Sequence, residues 1–87
     1  MILNLTLKKQ WFDQIAAGTK TTEYREKKPY WTTRLFAPDG RPKKFNQIIF
    51  KNGYAATAPR MRVEHLGTET RGDTYAIKLG RVLEITR

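Results

Sequence analysis

The sequence predicts one α+β domain spanning residues 1–87: a small, partly open β-barrel of about five strands, with one main helix and one short helix at its side. Three observations predict it. Apolar and polar residues alternate in several short stretches, as in Leu3, Leu5 and Leu7 against Asn4 and Thr6, which is the period of half-buried strands. Trp11, Phe12, Ile15 and Ala16 fall instead at helical spacing. Finally, 87 residues hold one compact core, and short strands in so small a chain escape exposed edges by curling towards a barrel.

The elements follow in order. Ile2 to Leu7 is the first strand. A helix runs from about Lys9 to Ala17, with Gly18 placed to end it in the left-handed conformation, and Trp11 is expected to anchor the core. Thr21 and Thr22 favour extended chain. Strand parity there puts Thr21, Glu23 and Arg25 on one face and Thr22 and Tyr24 on the other, with the Glu23 and Arg25 Cα atoms about 6.8 Å apart. With Tyr24 pointing into the core, the charged pair is expected to face out of the barrel. Pro29 then starts a short helix to Leu35, which is too short to bury both Tyr30 and Trp31. Ala37-Pro38-Asp39-Gly40 is turn chemistry, and Arg41 to Lys44 is a basic loop. Asn46 to Lys51 is a strand ended by Asn52-Gly53, and Tyr54 to Ala58 is a connection. Met61, Val63 and His65 point inward from the strand that follows. A hairpin at Thr70-Arg-Gly-Asp73 leads to Tyr75–Leu79, and Gly80 marks a bulge or bend before Arg81 to Ile85.

Composition narrows the function. Seventeen Lys and Arg against eight Asp and Glu give a formal charge of +9, and residues 1–44 hold 10 of the basic and 4 of the acidic residues. Such a field draws polyanions, which makes RNA or a nucleotide the first partner to consider, with DNA as the wider class. A simply solvated basic domain, or one that meets an acidic protein, has the same composition. Without cysteine there is neither a disulfide framework nor a thiolate metal site, and one histidine does not build a zinc site. No cofactor and no metal are expected. No signal-peptide pattern and no membrane-spanning apolar run is present, so a cytoplasmic protein without a membrane partner is expected.

The chemistry concentrates where the first helix gives way to the second strand, in Gly18-Thr-Lys-Thr-Thr-Glu-Tyr-Arg25. Arg25 presents a planar fork suited to phosphate or carboxylate, and Lys20 is expected to overhang the helix exit as a mobile point charge. Glu23 can accept hydrogen bonds from a base's exocyclic amine, or act as a general base if burial raises its pKa. The same three residues can also do no more than pair with one another. His65 reads as a satisfied core histidine, and Arg71-Gly72-Asp73 as turn chemistry.

With Leu7-Lys8 and the helix from Trp11 to Ile15 before it, this run resembles the signature of the ASCH domain, a branch of the PUA-like superfamily in which a helix ends in Gly-x-Lys-Thr-x-Glu-x-Arg. Tyr75 to Ile85 resembles that family's last strands. Phe50-Lys-Asn-Gly-Tyr54 with Ala58-Pro59 resembles a compact subset from phage and bacterial genomes. The likeness spans essentially the whole chain and implies a PUA-like β-barrel whose cleft, beside the motif, binds RNA or modified nucleosides. Some members of the superfamily deacetylate an acetylated cytidine, and in that branch the run reads Lys-Thr-x-Thr-x-Arg, the second threonine being the nucleophile. Lys20, Thr21 and Arg25 match it, but Glu23 stands at the nucleophile's position, and a carboxylate does not supply the hydroxyl attack.

These readings give Lys20, Thr21, Glu23, Arg25, Tyr30, Trp31, Lys51, Asn52 and Tyr54 as candidate ligand-binding residues. Lys8, Lys27, Lys28, Arg34, Arg41, Lys43 and Lys44 are candidate phosphate contacts. Lys20 and Glu23 would be catalytic if the chain is an enzyme. The leading expectation is an RNA- or nucleotide-binding module. The alternatives are a small hydrolase acting on modified nucleosides or RNA, and a protein-interaction module.

Overall fold

Leu3, Leu5 and Leu7 are buried on one face of the first strand, β1 (Ile2–Leu7), as their alternation requires. The computed structural model describes residues 1–87. Next comes α1 (Lys9–Ala16), which buries Phe12 and Ile15. Gly18, at φ 81°, turns the chain out of it. The Gly18 N–H donates to the Ile15 carbonyl, and the Thr19 and Lys20 N–H groups both donate to that of Gln14, so these two carbonyls of the last turn are satisfied as the chain leaves the helix. The chain then enters β2 (Thr22–Glu26) and α2 (Pro29–Leu35), which has proline in its first turn and buries Leu35. The remaining elements are β3 (Gln47–Asn52), β4 (Arg60–Arg71) and β5 (Thr74–Thr86).

The five strands form one mixed sheet in the order β1-β3-β4-β5-β2. β1 runs parallel to β3, and the other neighbours are antiparallel. The sheet curls into a half-barrel around its core, with the two helices against it. β1 and β2, at the two ends of the strand order, are its unpaired edges.

The expected irregularity at Gly80 is present, inside a strand that continues through it: between the Val63–Val82 and His65–Leu79 pairs, three steps of β5 face two of β4, so β5 carries an extra residue in the stretch that holds Gly80. Gly80 also serves a close approach. A Cβ there would lie 2.9 Å from the Cβ of Glu64 and against its carboxylate, which accepts the Arg81 N–H at 3.1 Å.

His65 lies in this irregular stretch. Its ring meets Phe45 edge-on, with centroids 5.3 Å apart, and its Nε2 lies 3.1 Å from the Thr68 hydroxyl. Burial holds the imidazole below its ordinary value of 6.5, against a smaller opposing effect of a hydrogen bond to the Phe45 backbone. A base whose folded pKa is depressed contributes fully above its unfolded pKa and is lost as pH falls through the folded one. The urea midpoint is therefore expected to drop between pH 7.5 and pH 5.5 by more in the wild type than in His65→Gln, as followed by tryptophan fluorescence at both pH values.

Candidate functional site

Strand β2 places its side chains opposite to the simplest apolar reading. Glu23 pairs across the ladder with Ile77, and Arg25 with Tyr75, and both of those β5 residues are buried. Glu23 and Arg25 therefore face the inside of the half-barrel. Glu23 is only 7% exposed, whereas Tyr24 is 48% exposed. The expected outward charged pair and inward Tyr24 and Thr22 are thus reversed. Strand parity admits no compromise, since moving Tyr24 inward would turn Glu23 and Arg25 out together.

The inward carboxylate is neutralised from two sides. Arg25 Nη2 lies 2.7 Å from Glu23 Oε2, and Lys20 Nζ lies 3.5 Å from Oε1. Lys20 is not the mobile overhang expected from its place after the helix. Its side chain is largely buried, with Nζ 5.3 Å from the centroid of the Trp11 ring and 5.5 Å from that of Tyr24. Aromatic faces attract cations in this geometry. Arg25 is held as firmly: its guanidinium lies 4.8 Å from the Trp31 ring centroid, and Nη2 also donates to the Thr6 carbonyl at 3.3 Å. Arg25 Nε is buried without a hydrogen-bond partner.

Beside this trio lies a cleft of about 310 Å³, lined by Thr6, Leu7, Lys8, Trp11, Glu23, Tyr24, Arg25, Glu26 and Trp31; Lys20 stands behind Glu23, outside the lining. It sits in the seam between the two unpaired edges. Arg25 bridges that seam to Thr6 of β1. Arg34 of α2 donates to the Asn4 carbonyl of the same edge at 3.0 Å, its guanidinium 5.6 Å from the Trp31 centroid. Trp31 thus meets two guanidinium groups, each donating to an alternate carbonyl of the β1 edge.

The structure brings Lys20, Glu23, Arg25 and Trp31 together, with Lys8 at the rim. It adds Trp11, Tyr24 and Thr6, which sequence reasoning did not assign to the site. Trp11 is 38% exposed and is a wall of the cleft, not a core anchor. Phe12 takes the inward position instead, and a helix of eight residues has no room inside for both. The adjacency of Trp11 and Phe12 was the available signal.

Other candidates lie elsewhere. Thr21 is exposed and outside the cleft lining. Tyr30 packs edge-on against Trp31 from the solvent side, with its hydroxyl accepting from Arg34. Asn52 is half-buried and pairs in register with Leu7, Lys51 pairs with Thr6, and Tyr54 is 88% exposed on the following loop. Lys27 and Lys44 are exposed, Lys28 and Arg41 pair with Glu26 and Asp39, and Lys43 donates to the Thr33 carbonyl.

No helix is long and apolar enough to cross a membrane. Compared with known proteins, the chain matches no family model, no curated protein and no solved structure.

The trio also bears on stability. Taking away one partner of a buried ion pair costs about 3–5 kcal/mol, because the remaining charge is left unpaired. Glu23→Ala strands two cations at once and is expected to fall at the upper end of that range. Glu23→Gln, which keeps an acceptor oxygen, should lose less. Urea denaturation of the two variants beside the wild type measures the difference.

Proposed function

We propose that the chain is an ASCH-like, PUA-like module that binds RNA or a nucleotide through the cleft around Lys20, Glu23 and Arg25. The observation that carries this reading is a carboxylate turned inward and held between two cations, at a cleft walled by Trp11, Tyr24 and Trp31. A cleft of about 310 Å³ suits one base or nucleoside. Within it, Glu23 accepts from a ring or exocyclic N–H, the Arg25 guanidinium holds that carboxylate in place, and a tryptophan stacks on the base. Such stacking is worth about 1–3 kcal/mol per base. The excess of cations supplies the less selective attraction for phosphate.

A hydrolase acting on modified nucleosides is a second reading, favoured by one observation: the Lys20 ammonium lies 3.5 Å from the Glu23 carboxylate beside the same cleft. Glu23 would there serve as a base towards water, not as a nucleophile replacing threonine.

Two measurements test these readings. In a salt titration of single-stranded RNA binding, affinity should fall steeply with added salt, with Arg25→Ala and Trp31→Ala each weakening binding by roughly 10-fold or more, in line with the value of a stacked base or charged hydrogen bond. Absence of binding at low salt would sink the binding module. For the hydrolase, acetylated cytidine and labelled RNA are incubated with wild type, Lys20→Ala and Glu23→Ala, and the reading requires turnover that both substitutions abolish.

A further inference from the structure

The outer face of the sheet holds a feature that the cleft does not use. Neither β1 nor β3 contains an acidic residue. On this face Lys51 of β3 stands directly opposite Arg60 of β4, and Thr6 of β1 stands beside Lys51. Like charges directly opposite each other on paired strands destabilise a sheet, yet no carboxylate lies within ion-pair distance of either; the nearby Glu84, which borders a depression with Arg60, is engaged by Arg62. Neither Lys51 nor Arg60 takes part in any ion pair of the structure. The neighbouring Arg62, two residues along the same strand, is neutralised by Glu84 at 2.9 Å. The Lys51 ammonium has only a long hydrogen bond to the Tyr54 carbonyl, at 3.4 Å.

The two cations border a concavity of about 300 Å³ lined by Asn4, Leu5, Thr6, Ile49, Lys51 and Arg60. Thr6 lines this concavity and the Glu23 cleft alike, so the two depressions adjoin across one strand. Lys8, at the rim of the cleft, is likewise free of any carboxylate. From Thr6 to Arg60 is about 10 Å, or two strand spacings.

We propose that Lys51 and Arg60 form a phosphate track for single-stranded RNA. A strand with one base in the Glu23 cleft crosses the β1 edge at Thr6 and lays successive phosphates on Lys51 and then Arg60. The uncompensated cross-strand pair is the feature that a phosphate would neutralise. The inference rests on the RNA-binding reading of the cleft and adds to it the path that the ligand's phosphates follow.

The test compares wild type, the double variant Lys51→Gln/Arg60→Gln and the single variant Lys51→Glu, with two probes: a nucleoside 5′-monophosphate and a short mixed-sequence RNA oligonucleotide. For the double variant, the slope of log affinity for the oligonucleotide against log salt should shrink by about 1.4, at roughly 0.7 for each phosphate no longer neutralised, while mononucleotide affinity stays unchanged. Lys51→Glu should weaken oligonucleotide binding at low salt and pair with Arg60. Because both changes relieve like-charge repulsion, their urea midpoints should equal or exceed that of the wild type; a lowered midpoint would show the two cations to be structural and overturn the track. An unchanged slope with oligonucleotide binding retained overturns the track and leaves the cleft reading standing. Binding of the mononucleotide but not the oligonucleotide by wild type does the same, and binding of neither probe overturns both. Equal displacement of the oligonucleotide by a poly-glutamate peptide would show a surface indifferent to RNA and also reject the track.

Discussion

The Arg25 guanidinium is where the two unpaired edges of the sheet meet, and its charge allows a carboxylate to sit inside the half-barrel. It contacts Glu23 on its own strand, the Thr6 carbonyl on β1 and the Trp31 face on α2. An unpaired edge is a liability because its peptide groups recruit other strands. In this fold side chains answer part of that demand, since Arg25 and Arg34 donate to β1 carbonyls that a further strand would otherwise take up. The position of α2 follows from the same interactions, with Trp31 between the two guanidinium groups and Leu35 in the core.

Much of the fold was legible because its signals are local. The leucine alternation of β1, Pro29 at the start of α2, Gly18 at the end of α1 and the Arg71 to Thr74 turn all depend on near neighbours, and each has bounds close to those the sequence predicts. The facing of β2 was not legible, because it depends on residues far away in sequence. Taken alone, Thr22-Glu-Tyr-Arg-Glu26 invites Tyr24 inward; only the pairing with Ile77 and Tyr75, and the arrival of Lys20 and Trp31, make an inward Glu23 tolerable. Trp11 failed for a similar reason, since the spacing of α1 allows Trp11 or Phe12 inside and the tertiary packing chooses Phe12. The motif itself was visible, but its orientation, on which any chemistry depends, was not.

A strand that buries a glutamate and exposes a tyrosine breaks the patterning that Leu3, Leu5 and Leu7 follow in β1. Such departures concentrate where a protein does something other than fold. The structural cost is partly offset by the two cations and the aromatic rings around them. A second departure, the uncompensated Lys51 and Arg60, lies across β1 from the first. Lys78 and Arg71, by contrast, are matched by Glu69, whose carboxyl those partners hold below the usual range.

The seam between β1 and β2 also has a consequence for the order in which the molecule assembles. The β4–β5 hairpin closes through a short turn, whereas pairing β1 with β3 joins residues some 45 positions apart, as Ile2 with Gln47. Local pairings carry the smaller loop-closure cost, so the hairpin is the natural early structure and the flanking edges are late additions. The cleft is therefore completed by the last pieces to dock and is bordered by the segments that open most readily in the native state. A molecule seated there would bridge both edges at once and act as the missing stitch of the barrel, so that occupancy and closure become one equilibrium.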